Sequence, residues 1–275
     1  MEPIDLWYEG AGGARLYCRS WPPADARATL VALHGLGDHS GLYPMIGEVL
    51  AAKGIAVLTP DLRGNGRSPG QRGYIEAWDD LREDLGRLLV RARAEAPGRP
   101  VFLLGMSLGG LVVLDYALHD SRGLQGVIAL SPPLGALGVP APLLALGRVL
   151  SRVWPRFSLE TGMDLTGLSR DASVVERVLA DPLFHRRGTA RLSTEVTRTI
   201  VRVQAEAGRL AVPLLVQHGA ADRMVPPDGS RRFVARAGHP DKRLIEYPGA
   251  YHALLADLDG ERVLADLAGW MLERL

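Results

Sequence analysis

The stretch Val101-Phe102-Leu103-Leu104-Gly105-Met106-Ser107-Leu108-Gly109-Gly110-Leu111-Val112-Val113-Leu114-Asp115-Tyr116 passes from a short apolar run, through a serine bracketed by glycines, into a helical pattern. Strand, tight turn and helix form the context in which G-x-S-x-G carries chemical meaning. A Cβ at position 105 or 109 is expected to collide with its neighbours in so sharp a turn, hence the glycines. Ser107 itself is expected in strained backbone geometry. Its hydroxyl then stands at a helix N-terminus, where backbone N–H groups point toward developing negative charge. Ser107 is the candidate nucleophile; the competing reading is a merely structural turn.

Working outward, further short apolar runs occur at Ala28–Leu33, Ile55–Thr59, Val127–Leu130, Leu214–Gln217 and Arg243–Tyr247. Near-continuous apolar strands imply burial on both faces, as in a parallel sheet covered by helices. Helical spacing links them: Trp78, Leu81, Leu85, Leu88, Leu89 and Ala92 form one stripe, and Val263, Leu264, Leu267, Trp270 and Met271 another. Leu6–Glu9 and Arg15–Trp21 flank Gly10-Ala11-Gly12-Gly13 and read as an antiparallel hairpin at the sheet edge. The sum is a doubly wound α/β sheet. The alternation fails over residues 132–212, which show helical periodicity and no convincing strand. There Leu143, Leu144, Leu146, Val149, Leu150, Val153, Trp154 and Phe157 share one face, opposite Arg148, Arg152 and Arg156, and Leu192, Val196, Ile200 and Val203 form a second stripe. An insertion at this point of a parallel sheet belongs above its C-terminal edge, where ligands bind. The expected organisation is an α/β core of residues 1–131 and 213–275, with 132–212 as a helical cap.

Composition bounds the rest. The 275 residues are 47% hydrophobic and 23% charged, close to the globular average and far from disorder. A formal charge of +1 gives no electrostatic reason to bind nucleic acid. Cys18, the single cysteine, permits neither an intrachain disulfide nor a cysteine metal cluster, and its strand-like setting argues against a reactive thiol. Acids in Met1-Glu2-Pro3-Ile4-Asp5 stand where a signal peptide needs bases, which leads to the expectation of a cytoplasmic protein. Gly126–Gly147 lacks charge and has the length of a membrane span, but Pro132, Pro133, Pro140 and Pro142 break it; it reads as a buried strand followed by the start of the cap. Lysine occurs only at positions 53 and 242 and asparagine only at 65. A GC-rich genome accounts for that bias, and a heat-adapted host is an alternative.

A serine nucleophile needs a base and an acid. His252, in Tyr247-Pro248-Gly249-Ala250-Tyr251-His252, follows the last strand on the same sheet edge, and Asp222 follows Leu214–Gly219. Ser107, Asp222, His252 is the chain order of α/β-hydrolase triads. His119 falls within a helix, His239 before the last strand, and His218 at a strand end as a candidate core histidine. Asp228, the second candidate acid, follows Pro226-Pro227 and reads as a helix N-cap. His34-Gly35-Leu36-Gly37 follows a strand where an oxyanion loop belongs, so the N–H groups of Leu36 and Leu108 are the expected oxyanion donors, with His34 fixing the loop. Asp61–Ser68 is a glycine-rich loop assigned to architecture.

These motifs carry a family resemblance. His34-Gly35-Leu36-Gly37-Asp38-His39-Ser40-Gly41-Leu42-Tyr43 resembles the H-G-x-G-E-H-S-x-R-Y stretch of monoacylglycerol lipases and related lysophospholipase-like α/β-hydrolases of the serine aminopeptidase S33 family. Asp61–Ser68 is similar to their D-x-R-G-x-G-x-S loop and Gly105–Gly110 to their nucleophile turn. Leu168-Ser169-Arg170-Asp171 and Asp181-Pro182-Leu183 resemble pieces of their cap. The resemblance spans residues 10–272 and implies the same triad and oxyanion donors. Leu108 replaces a frequent Met and Leu42 a frequent Arg, which bears on substrate preference.

The expectation is a cofactor-free serine hydrolase of carboxylic esters that binds no metal and acts through an acyl-enzyme. The resemblance favours monoacylglycerols over a broad short- to medium-chain carboxylesterase or a lysophospholipase. An S33-type aminopeptidase or a non-catalytic binding protein of the same fold are further alternatives. Leu143, Leu146, Val149 and Leu150 are candidate acyl-chain contacts, or simply packing residues, and Glu160 a candidate for a glycerol head group. The exposed part of the cap is expected to touch a membrane or micelle.

Overall fold

The computed structural model describes residues 2–136 and 138–275; Met1, part of the N-terminal reading, and Leu137, inside the uncharged stretch, lie outside them. The strands are β1 (Ile4–Glu9), β2 (Arg15–Trp21), β3 (Ala28–Leu33), β4 (Ile55–Pro60), β5 (Val101–Met106), β6 (Gly126–Leu130), β7 (Ser158–Glu160), β8 (Arg187–Thr189), β9 (Leu214–Gly219) and β10 (Lys242–Tyr247). The helices are α1 (Pro44–Ala51), α2 (Trp78–Glu95), α3 (Leu108–His119), α4 (Ala141–Val153), α5 (Ala172–Ala180), α6 (Ala190–Glu206), α7 (Asp228–Arg236) and α8 (Gly260–Leu272).

Among the described residues, one sheet of eight strands runs in the order β1-β2-β4-β3-β5-β6-β9-β10. The β1–β2 hairpin pairs antiparallel and meets β4 antiparallel; the remaining neighbours pair in parallel. The alternation of side chains along each strand splits the core in two. Val31, Leu33, Val101 and Leu103 face α2, α3, α6 and α7, while Leu30, Ala32, Phe102 and Leu104 face α1 and α8. Every residue of β3, β5, β6 and β9 is buried, which explains why these segments are largely apolar, Thr29, Gln217 and His218 excepted.

The segment between β6 and β9 departs from an all-helical insertion. It contains a two-stranded antiparallel ribbon, β7 with β8, in the register Ser158↔Thr189. The ribbon is only three residues per strand and largely polar, so no alternation announces it. The stripe Leu192, Val196, Ile200 and Val203 of α6 packs onto the α2 and α3 side of the core. Arg202 of α6 also reaches Asp115 of α3, 2.5 Å, which in turn accepts the Trp78 indole N–H, 2.8 Å. The uncharged Gly126–Gly147 stretch contains β6 and, after a proline-containing connection, the start of α4. No helix among the described residues is long and apolar enough to cross a membrane.

Candidate active site

Strand β5 ends inside the sheet, and the chain must reverse at once into α3. A Cβ on Gly105 would lie 2.1 Å from the Gly109 carbonyl oxygen, and one on Gly109 would lie 2.6 Å from those of Leu33 and His34, so both positions require glycine. Between them Ser107 sits at φ 50°, ψ −118°, held by its own N–H on the Leu130 carbonyl, 2.8 Å.

The side chains of Ser107, His252 and Asp222 form one hydrogen-bonded chain. The Ser107 hydroxyl donates to His252 Nε2, 3.0 Å, and His252 Nδ1–H donates to Asp222 Oδ2, 2.7 Å; this bond to the carboxylate defines the tautomer. Asp222 lies after β9 and His252 after β10, at the same sheet edge as the β5 turn. Burial pushes the Asp222 carboxyl toward the neutral form. Hydrogen bonds from His218, His252 and the Val225 N–H outweigh that and hold it well below the usual carboxylate range. The other Asp222 oxygen, Oδ1, accepts the N–H groups of Met224 and Val225, 2.9 and 2.8 Å, so the acid cannot swing away from the imidazole.

The loop after β3 passes beside the serine: a Cβ on Gly35 would stand 3.3 Å from Ser107 Cβ. Among the described residues the backbone N–H groups of Leu36 and Leu108 have no acceptor. Two donors beside a hydroxyl at the mouth of a helix form a site for negative charge. His34 shapes this loop. It accepts the Leu62 N–H at Nε2, 2.9 Å, and donates from Nδ1 to the Gly35 carbonyl, 2.7 Å; burial lowers its proton affinity and favours the neutral form. Asp61 binds the same loop to the glycine-rich one, accepting from the Ser40 and Arg67 N–H groups at 2.7 Å each.

The competing residues lie elsewhere. His119 ends α3, and His239 bonds within its own turn. Asp228 is the first residue of α7 rather than its N-cap, and pairs with Arg231 at 2.8 Å on the surface. His218 is fully buried between the Ser230 hydroxyl, 2.9 Å, and the Val225 carbonyl, 2.8 Å. Its Nε2 also lies 3.4 Å from Asp222 Oδ2, a contact that its place at a strand end did not reveal.

The candidate substrate contacts are not gathered with these groups. Leu143, Leu146 and Val149 are 57%, 53% and 57% exposed, and Leu150 is half-buried. They present an outward apolar face of α4 instead of walling an enclosed tunnel. Glu160 is exposed on β7 and pairs with Arg186, 3.3 Å. A groove of about 250 Å³ between α4 and α6 is lined by Leu143, Leu144, Arg148, Thr197, Arg198 and Val201, among others, and by none of the loops that carry Ser107, Asp222 or His252.

One contributor escaped sequence reading altogether. Ser131, just beyond β6, is buried at φ 44° and donates its hydroxyl to the His252 carbonyl, 2.9 Å. Its only sequence signal is its place at the tip of a core strand beside the proposed nucleophile's strand.

Comparison with known proteins agrees with this architecture. Residues 24–259 match the family model described as serine aminopeptidase, S33. A monoacylglycerol lipase of Mycolicibacterium smegmatis is 32% identical over 98% of this chain and 96% of its own length. The human monoglyceride lipase is 30% identical over 96% of this chain and 89% of its own. The crystal structure of a monoacylglycerol lipase from Paleococcus ferrophilus superposes with a TM-score of 0.87 at 35% identity, covering 94% of this chain and 99% of that one. With strand order, serine turn and sequence in agreement, this chain belongs to the serine aminopeptidase S33 family of α/β-hydrolases, in the company of the monoacylglycerol lipases.

Proposed function

We propose that this protein is a serine hydrolase that cleaves carboxylic esters, monoacylglycerols foremost, into fatty acid and glycerol. The observation that carries the reading is the unbroken chain Ser107 Oγ–H to His252 to Asp222 beside two backbone N–H groups that have no acceptor among the described residues. In this mechanism His252 removes the Ser107 proton as the oxygen attacks the ester carbonyl. The oxyanion is met by the Leu36 and Leu108 N–H groups, fixed in place before the charge develops. His252 then hands the proton to the leaving glycerol oxygen, and water repeats the two steps on the acyl-enzyme. Asp222 holds the imidazole tautomer and stabilises its cationic form.

The monoacylglycerol preference rests on the relatives' activities and on α4. Residues 132–212 act as a cap in this reading. The exposed Leu143, Leu146, Val149, Val153 and Trp154, flanked by Arg148 and Arg152, rest on a lipid surface from which substrate is drawn. Leu150 and Glu160 are retained as acyl-chain and head-group contacts of the loaded enzyme.

The test is a hydrolysis panel of monoacylglycerols, triacylglycerols, lysophospholipids and p-nitrophenyl esters, run on the parent protein and on Ser107→Ala. Long-chain monoacylglycerol should be turned over fastest, and Ser107→Ala should lose about 10⁴-fold or more in kcat. Ser107→Ala activity within tenfold of the parent would remove the serine mechanism. Faster turnover of short alkyl esters would replace the lipase with a broad carboxylesterase.

A further inference from the structure

The motif Leu168-Ser169-Arg170-Asp171 takes no part in the proton transfers above, yet it grips the loop that carries His252. That loop, between β10 and α8, has little regular structure, so its backbone N–H groups need partners other than a helix or strand ladder. Three consecutive ones find them in a single place. Tyr251 N–H donates to Asp257 Oδ2, 2.8 Å; His252 N–H donates to the Gly167 carbonyl, 3.3 Å, and Ala253 N–H to that of Leu168, 2.8 Å. Asp257, whose side chain is wholly buried, is in turn held by Arg170. The Arg170 N–H donates to Asp257 Oδ1, 2.9 Å, and its Nε reaches both carboxylate oxygens, at 3.1 and 3.0 Å. Arg170 Nη2 also binds Asp259, 2.6 Å, and Ser169 Oγ donates to the Ala256 carbonyl, 3.1 Å.

The same turn touches the acid loop. A Cβ on Gly167 would lie 3.1 Å from Met224 Cγ, and Arg223 Nη2 donates to the Thr166 carbonyl, 3.3 Å. The turn Leu165–Gly167 therefore lies between the loops that carry Asp222 and His252. A buried carboxylate without its cation would be costly. Here Arg170 supplies that cation, and Asp257 in return fixes the backbone one residue before the base.

We propose that Arg170 and Asp257 are positioning residues: their ion pair fastens the His252 loop to the inserted segment and sets the backbone from which His252 reaches Ser107 and Asp222. The inserted segment thereby helps build the base and does more than cover the site. The inference rests on the triad reading above and goes beyond it. An error of about 1 Å in a reacting group can cost on the order of 10²-fold in rate, so the loss falls on kcat rather than on substrate affinity.

The experiment compares Arg170→Ala, Arg170→Lys, Asp257→Asn and Ser107→Ala with the parent, using p-nitrophenyl acetate, which is too small to need the cap for binding, together with a fluorophosphonate probe. Arg177→Ala, an exposed residue of α5, serves as a control expected to match the parent. Arg170→Ala and Asp257→Asn should lower kcat about 10- to 100-fold with KM within about threefold, and fluorophosphonate labelling should slow in parallel. Arg170→Lys, which keeps the charge but loses the fork, should recover part of the rate. A folded Arg170→Ala with kcat within twofold of the parent, or a loss confined to KM, overturns the inference. If that variant and Asp257→Asn fail to fold, Arg170→Lys decides: parental kcat overturns the inference, and a several-fold fall at unchanged KM supports it. Ser107→Ala separates the two levels. If it is inactive, the Arg170 results judge the positioning role alone; if it stays active, the triad reading falls and takes the positioning role with it.

Discussion

Among the described residues, two that are not glycine have positive φ, Ser107 at 50° and Ser131 at 44°. Such backbone costs about 1–3 kcal/mol and persists only where the surroundings impose it. At Ser107 the imposition is the turn from β5 into α3. At Ser131 it is a pair of bonds, the backbone N–H to Gln217 and the hydroxyl to the His252 carbonyl, each 2.9 Å. Removing that hydroxyl leaves the strain and deletes the bond. Ser131→Ala should therefore lose about 1–3 kcal/mol of stability in denaturant titration and several-fold in kcat. Ser131→Gly, which relieves the strain, should recover part of the stability but none of the rate; equal kcat for Gly and parent would show the hydroxyl to be idle. Ser107, Asp222 and His252 were legible because each ends or follows a core strand in a fixed chain order. Ser131 was not, because a left-handed serine has no composition signal and its partner lies 121 positions away.

At the level of elements, the six parallel strands were readable from short, mostly apolar runs, with ends off by one or two residues where Met106, His218 and Gly219 continue the ladder. The β7–β8 ribbon was not readable, since what orders it is its dock against the core. His185, two residues before β8, shows that dock. Its N–H donates to the Gly37 carbonyl, 3.1 Å, its Nε2 to Asn65 Oδ1, 2.8 Å, and its Nδ1 accepts the Arg187 N–H, 3.1 Å. Gly37 is at φ 81°, and a Cβ there would lie 1.9 Å from the His185 carbonyl oxygen, so only glycine admits the contact. Burial, and then the nearby Arg72, His34 and Arg187, press the His185 imidazole down to about 4 from its ordinary 6.5. A second proton has no place to go, since Nδ1 already faces an N–H. The unfolded or undocked chain takes up that proton first, so the contribution of His185 to docking is fully present above about pH 6.5 and is lost as pH falls toward 4. Hydrogen exchange of residues 181–189 should accelerate across that window, and His185→Gln should flatten the change. An unchanged pH dependence in that variant would assign it to other groups.

Across the whole molecule, the inserted segment is tied to the core along α6, at Gly37, His39, Asn65 and Gly73, and at the His252 loop. Its most continuous exposed apolar surface is the α4 face. Val153 and Trp154 are 73% and 59% exposed, and Arg148, Arg152 and Arg156 accompany them with no acidic residue from 138 to 159. The periodicity of α4 was plain in the sequence; which way the apolar side faced was not, because an amphipathic stripe looks the same turned inward or outward. If the face meets lipid, Val153→Asp with Trp154→Asp should abolish sedimentation with anionic vesicles while hydrolysis of p-nitrophenyl acetate stays at the parental rate. Retained sedimentation would move the lipid contact elsewhere. The strand order holds one more consequence. β6 and β9 are adjacent and parallel, with Val127 paired to Leu214 and Leu130 to Gln217, so the chain leaves at the C-terminal end of β6, re-enters at the N-terminal end of β9, and is carried back along the sheet by α6 on its α2 and α3 side. Length added ahead of α6 carries only a logarithmic entropic cost, whereas α6 itself must keep its span and its packing on the core. A transplanted segment ahead of α6 would still have to bring its own carbonyls for His252 and Ala253, and this couples the inheritance of that segment to the working of the base.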